Sequence, residues 1–208
     1  MTAAVVEQIF GPSTGQVHRY VDILASEGVA RGLIGPREVD RLWDRHILNS
    51  AAVTELVAGD ATVIDVGSGA GLPGIPLALL RPDLRVTLLE PLLRRVTFLT
   101  EVVEVLDLAD RVTVVRERAE EHKGRYAVVL ARAVAPLVKL VPWCAPLRSP
   151  TGTILALKGR SAGAELSAAQ PALAKAGLSA EVLMVRAHPH VDPATVVRLT
   201  SPRQRLPV

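Results

Sequence analysis

The chain predicts an α/β fold: a mostly parallel sheet with helices on its faces, a terminal antiparallel hairpin and an N-terminal helical extension. Three observations lead there. Val63-Ile64-Asp65-Val66 runs into glycines at Gly67, Gly69, Gly71 and Gly74, with Pro73 where a helix would begin, so the stretch reads as strand, tight loop and helix N-terminus. Beyond it, short apolar runs alternate with helical periodicity. Before about Asp60 only helical spacing is visible.

Composition sets the frame. With 208 residues, 49% of them hydrophobic, the chain can bury a full core as a single compact domain, within which we separate an extension, 1–60, from a sheet domain, 61–208. Met1 to Phe10 contains Glu7 and no basic flank, so it does not read as a signal peptide, and no apolar run is long enough to cross a bilayer. A cytoplasmic protein with no membrane partner is expected. Cys144 is the single cysteine, which excludes an internal disulfide and a cysteine-based zinc site and reads as a small core hydrophobe. No metal is expected. A net charge of +3 and a pI near 9.4 permit an anionic partner.

In the extension, Ser13 or Thr14 caps a helix whose apolar stripe is Val17, Tyr20, Val21 and Leu24, and Gly28 ends it. Pro36 starts a second helix with Val39, Leu42, Trp43 and Ile47 on one side and Arg37, Arg41 and Arg45 recurring four residues apart on another. That basic stripe is either a solvated charged face or, with the cluster Arg45-His46-Ile47-Leu48-Asn49-Ser50, a grip for phosphates and base edges. His46 alone fits packing beside Trp43 as well as facing a ligand.

In the sheet domain, a helix from Pro73 to Leu80 follows the glycine loop, and Arg85 to Leu89 is the next strand with Glu90 at its end. A helix from Pro91 to Leu106 places Leu93, Val96, Leu99, Val103 and Leu106 on its apolar side and Arg94 and Arg95 toward solvent. Val112 to Val115 forms the third strand, followed by a charged connector containing Ala119 and Glu120. Tyr126 to Leu130 is a buried central strand leading to Ala131-Arg132-Ala133, where Arg132 is a lone cation among apolar neighbours. A helix from Pro136 is interrupted by Pro142, a turn at Ser149 to Gly152 precedes the strand Thr153 to Leu157, and Lys158 follows it. Helix then spans Ala164 to Ala176 with a break near Pro171, and Leu178 to Val185 pairs with Thr195 to Leu199 around the His188-Pro189-His190 turn. Those histidines read as a surface turn.

Loops at the carboxyl ends of the strands of such a sheet meet at one crevice. Gly69, Gly71 and Gly74 spell the dinucleotide pattern G-x-G-x-x-G, with an acid, Glu90, about twenty residues on. The register opposes that reading, because Gly67 takes the first glycine's place and the strand carries Asp65. Asp65-x-Gly67-x-Gly69-x-Gly71 resembles the first motif of S-adenosylmethionine-dependent methyltransferases. With such a cofactor over the loop, Asp65 could hold the methionine ammonium directly or through water and Glu90 accept the ribose hydroxyls; the place of the third strand's loop at the crevice suits Ala119 and Glu120 to an adenine ring, with a plain charged connector as the alternative. An ordinary strand-to-helix turn with no ligand is the alternative.

The resemblance extends to one family. Arg45 to Ser50, Asp65 through Pro76, Arg94 to Leu99, Arg118-Ala119-Glu120-Glu121, Arg132-Ala133 and Ala156-Leu157-Lys158-Gly159 resemble the RsmG (GidB) family, from about Tyr20 to Lys158. Two departures lie in the extension: Asn49 replaces the family's usual Asp, and Arg31 to Gly35 stands where an Asn-Leu-Thr stretch is common. The resemblance implies a class I methyltransferase sheet of Rossmann-like form and transfer of a methyl group from S-adenosyl-L-methionine to N7 of a guanine in small-subunit (16S) ribosomal RNA. S-adenosyl-L-homocysteine would be the product, and Gly67, Leu72, Ala119, Glu120 and Arg132 would contact the cofactor. Gly69 and Gly71 complete the loop. Arg45, His46 and Lys158 are expected on the RNA, free or in a small-subunit particle, and a monomer is expected.

The chemistry fits what the chain lacks. Guanine N7 has a free lone pair at neutral pH, so transfer needs positioning and no base to create the nucleophile. Carbon methylation would call for an exposed cysteine, and amino-group methylation for an Asn or Asp followed by two prolines where Ala131-Arg132-Ala133 stands. Arg132 is the residue expected nearest the reacting base, able to meet guanine O6 or a phosphate while leaving N7 open. A small-molecule methyltransferase on the same scaffold, or an RNA-binding protein without catalysis, are the alternatives; a nicotinamide enzyme comes last.

Overall fold

The computed structural model describes residues 3–202. Its centre is a seven-stranded sheet in the order β3-β2-β1-β4-β5-β7-β6. Strands β1 (Thr62–Val66), β2 (Arg85–Leu89), β3 (Val112–Val115), β4 (Tyr126–Arg132) and β5 (Arg148–Lys158) are mutually parallel. Strand β7 (Ala194–Thr200) slots antiparallel between β5 and β6 (Ser179–Val185), so the expected closing pair is present and its last strand lies inside the sheet.

Alternation along β1 builds two cores. Val63 faces one layer and Ile64 and Val66 the other, as the two-residue period of a strand requires. One layer holds α6 (Leu137–Cys144), α7 (Ala162–Ala168) and α8 (Gln170–Ala176), and Cys144 is buried there beside Leu140 and Val141. Pro171 opens α8, which explains the expected break as the boundary between two short helices. The opposite layer holds α4 (Gly74–Leu80) and α5 (Leu93–Val105), and it shares its core with the N-terminal extension.

The extension differs from the two regular helices expected of it. An unforeseen α1 (Ala3–Phe10) buries Val6 and Phe10, and α2 (Thr14–Ile23) continues as a wider turn through Leu24–Gly28. Pro36 does start a helical segment, but Pro36–Arg41 is a tight 3-10 helix, Leu42–Ile47 a wide π turn and α3 (Leu48–Ala51) only four residues long. With turns of changing width, Arg37, Arg41 and Arg45 do not stack at a constant spacing of 3.6 residues per turn. Ser13 Oγ donates to Leu79 O at 2.7 Å and Gln16 Nε2 to Leu106 O at 2.7 Å, fastening the extension to the ends of α4 and α5.

Two further differences concern the crevice. Strand β4 runs on to Arg132, opposite Leu157, so this arginine stands on a rigid element. At the start of α5, Leu93 is 57% exposed and the core face falls on Phe98, Leu99, Val102 and Val103, while Arg95 turns inward to Glu90.

Candidate active site

The loop after β1 is shaped by what lies beneath it. Asp65 is fully buried, and its Oδ2 accepts from Gly74 N–H at 3.0 Å, holding the first residue of α4. Its Oδ1 has no hydrogen-bond partner among the described residues. Burial pushes this carboxyl's pKa up to about 7 against the lowering effect of the Gly74 hydrogen bond and of the nearby Ser68 hydroxyl, which itself donates to the Asp65 main-chain oxygen at 2.8 Å. Glu90, at the end of β2, is 1% exposed and anchors the other side: Oε2 accepts from Gly69 N–H at 3.1 Å and Arg95 Nη1 at 3.4 Å, and Oε1 from Leu92 N–H at 3.1 Å. From the extension, buried Tyr20 donates its hydroxyl to Ala70 O at 2.7 Å. The loop is therefore held from three elements.

Glycine is required at Gly67 on two counts. Its φ is +69°, in the left-handed region, and a Cβ there would lie 2.8 Å from Val134 Cγ2. Two clefts meet at this residue. One, of about 200 Å³, is lined by Val66, Leu89, Pro91, Ala119 and Trp143 with Glu117 and Glu120 at its edge. The other, of about 240 Å³, runs over Ser68, Gly69, Ala70 and Leu72 and faces His46, Arg95 and Arg132. An apolar slot edged by carboxylates suits a flat heteroaromatic ring bearing an amino group, and a polar groove under backbone amides and arginines suits a charged tail. The joined clefts thus fit an elongated ligand such as S-adenosylmethionine.

A third and larger cleft, about 590 Å³, opens over the ends of β4 and β5 between Arg45, Asn49, Arg132, Val134, Lys158 and Glu165. It shares Val134 with the apolar slot and Arg132 and Ala133 with the polar groove, so the three adjoin one another. Ala133 takes φ +54°, a conformation that costs a non-glycine residue about 1–2 kcal/mol, at the junction.

Arg132 is locked to the extension. Its Nη1 donates to Ser50 Oγ at 3.0 Å and His46 O at 3.3 Å, and its Nη2 to Arg45 O at 3.1 Å and His46 Nδ1 at 2.7 Å. Burial lowers the pKa of this guanidinium from its ordinary value, although no proton is lost near neutrality. His46 Nδ1 must therefore be an acceptor, which places the ring proton on Nε2, 2.9 Å from Glu38 Oε2. Burial, then the Arg132 charge, lower the His46 pKa and keep the ring neutral against the pull of Glu38. The other oxygen of Glu38 takes Arg45 Nη1 at 3.1 Å.

The expected site residues thus converge. Gly67, Gly69, Leu72, His46 and Arg132 face the polar groove, Ala119 and Glu120 the apolar slot, and Arg45 and Lys158 the large cleft. Asp65 and Glu90 support the loop from below, Gly71 packs against the Ile75 and Tyr20 side chains, and, unlike the expectation for them, none of these three lines a cleft. Glu38 and Glu165 were not anticipated, Tyr20 was expected only on an apolar stripe, and Ser50 only within the Arg45–Ser50 cluster. A buried Tyr needs a partner for its hydroxyl, and Glu38 stands seven and eight residues before Arg45 and His46, so both carried a weak signal. Among the described residues no group of His, Cys, Asp and Glu could hold a metal ion, and no helix is long and apolar enough to cross a membrane.

Comparison with known proteins agrees with this geometry. The GidB family, described as rRNA small subunit methyltransferase G, matches residues 13–191. The chain is 56% identical over 196 residues to ribosomal RNA small subunit methyltransferase G of Streptomyces avermitilis, covering 92% of this chain and 82% of that protein. Against the protein of the same name from Renibacterium salmoninarum, identity is 52% over 200 residues, with 95% and 93% covered. In fold it resembles an O-methyltransferase from neocarzinostatin biosynthesis solved with S-adenosyl-L-homocysteine (TM-score 0.64, 17% identity, 87% of this chain and 60% of that one). A precorrin-6y C5,15-methyltransferase from Geobacter metallireducens has a TM-score of 0.56 at 18% identity, with 81% and 90% covered.

Proposed function

The chain belongs to the GidB family of small-subunit ribosomal RNA methyltransferases, and on that premise we propose that it methylates N7 of a guanine in 16S ribosomal RNA. The observation that carries the reading is the meeting of the three clefts about Gly67, Val134 and Arg132, which line more than one of them. A cofactor lying over the glycine loop would open directly onto the large cleft where a base can enter. Bound S-adenosylmethionine supplies an electrophilic methyl group on a sulfonium.

The protein's own residues hold, align and exclude. Gly67, Gly69 and Leu72 would cradle the charged tail and Ala119 and Glu120 the adenine, while Asp65 and Glu90 keep the loop in shape from below. Because N7 already carries its lone pair, the protein's work is to bring it in line and keep it desolvated. Arg132, held by Ser50 and His46, presents a fixed positive wall between groove and cleft. Its catalytic part is therefore positional.

We assign RNA backbone contacts to the extension, 1–60, through Arg45, which is half exposed, with His46 setting the geometry; residues 61–208 would carry the transfer. Replacing Arg45 and His46 together by Ala should weaken RNA binding and reduce its salt dependence, whereas unchanged methylation and salt slope would reject the assignment. We further expect a cytoplasmic monomer acting on RNA or on a small-subunit particle. The atom methylated is tested with RNA carrying 7-deazaguanosine, which lacks N7, at the accepting position. No transfer is expected, and transfer at the rate of guanosine RNA would exclude N7.

A further inference from the structure

In the large cleft, Lys158 and Glu165 form an ion pair of 2.8 Å whose hydrogen bonds are almost, but not fully, used within the protein. The Lys158 ammonium has three donors; one goes to Ala135 O at 2.6 Å and one to Glu165 Oε2, leaving one. Glu165 Oε2 accepts from Lys158 and from Leu137 N–H at 3.1 Å, which fills it. Its Oε1 accepts only from Ser161 Oγ at 3.0 Å, and Ser161 is exposed, so its hydroxyl can turn to water. Burial opposes ionisation of Glu165, yet the hydrogen bonds from Lys158, Ser161 and Leu137 outweigh it and hold the pKa below its ordinary value. The pair therefore offers one ammonium donor beside one carboxylate oxygen with room for two donors.

That pattern has one matching base edge. The Watson–Crick edge of guanine presents an acceptor, O6, next to two donors, N1–H and N2–H; adenine presents a donor next to an acceptor, and uracil and cytosine lack the double donor. Strand β5 lies two strands from β1, about 10 Å at the usual spacing, which a purine and its contacts can span. We propose that Glu165 reads the target base, accepting from guanine N1–H and N2–H through Oε1 while Lys158 donates to O6, so that the opposite side of the purine, with N7, is turned toward Gly67.

This proposal rests on the guanine-N7 reading, and its test separates the two. Single-turnover methylation is measured on small-subunit RNA carrying guanosine or inosine at the accepting position, since inosine lacks only the N2 amino group. Losing one hydrogen bond to a charged group should lower wild-type kcat/KM on inosine RNA roughly ten- to a hundredfold. Glu165→Gln should be slower on guanosine RNA and treat both RNAs alike within about threefold. Equal wild-type rates on the two RNAs overturn the proposal, and so does a Glu165→Gln enzyme that keeps the full inosine penalty. If that variant does not fold, as judged by S-adenosylmethionine titration, Glu165→Asp keeps the charge beside Lys158 and withdraws the oxygens; a shrunken penalty supports the assignment and an intact one refutes it. Absence of transfer to guanosine RNA by the wild type is a different failure, that of the N7 reading itself.

Discussion

Replacing Asp65 by Asn should change the chain's stability by an amount that rises with pH, from a net loss near pH 4 to a net gain above about pH 7. Asp65 is fully buried, and its pKa rises from 3.8 to about 7 in the folded chain, chiefly through desolvation. Between these values the unfolded chain has released the proton while the native chain keeps it, so the native state binds more protons and stability falls as pH rises. A shift of about three units corresponds to about 4 kcal/mol, complete above pH 7. Asn removes the charge and keeps an oxygen for the Gly74 N–H, although its amide nitrogen lands where Oδ1 has no partner, at a roughly pH-independent cost of about 1–3 kcal/mol. The slope is therefore diagnostic: the stability difference between Asp65→Asn and wild type should climb by about 1.4 kcal/mol per pH unit between about pH 4 and 7 and then level off. Urea unfolding of both proteins at half-unit steps from pH 4 to 8 measures it. Parallel stability curves would show that the carboxyl is ionised at its ordinary pKa and that the buried-acid account of the loop is wrong.

Other outcomes follow from the same geometry. Tyr20→Phe leaves Ala70 O without its donor and should cost about 1–2 kcal/mol in thermal unfolding while weakening S-adenosylmethionine binding by calorimetry, because the loop loses its anchor in the extension. Gly67→Ala meets both the left-handed φ and the Val134 methyl group, so cofactor affinity should fall at least roughly tenfold, and Val134→Ala should restore only part of it because the strain remains. His46 has a lowered pKa, so the stability from its neutral form is complete above about pH 6.5 and is lost as pH falls through the lower folded value; acid loss of activity should move to lower pH in Glu38→Gln, which removes the carboxylate that raises this pKa, and flatten in His46→Asn. Ala133→Gly relieves a left-handed alanine and should add about 1 kcal/mol to stability, read by urea unfolding, whereas an unchanged midpoint would deny the strain.

The glycine loop was legible because its chemistry is local: Asp65, Gly67 and Pro73 lie within nine residues and each answers a backbone requirement of one turn. Arg132 was legible for a similar reason, a lone cation after an apolar strand. Its partners were not. Ser50 and His46 lie 82 and 86 residues earlier, and nothing in spacing links them to β4 before the extension is folded onto the sheet. The extension also misled by its regular apolar stripe, since Leu42 and Ile47 are buried as expected while the backbone beneath them changes from 3-10 to π turn. Leu93 illustrates the opposite limit. Its spacing matched a helix face, but α5 begins at the crevice rim, where no core is available to cover it. Asp65 and Glu90 were placed at the right loop, yet their carboxylates bond the backbone beneath it, a distinction that only burial reveals.

The most direct test of the account is to incubate the purified chain with methyl-labelled S-adenosylmethionine and small-subunit ribosomal RNA that has never been modified, free and as assembled particles, and to locate the label by borohydride reduction and aniline cleavage, which cut at N7-methylguanine. The account predicts one methyl group per RNA, at N7 of a single guanine. Label on another atom, on many guanines, or on neither form of the RNA would contradict it.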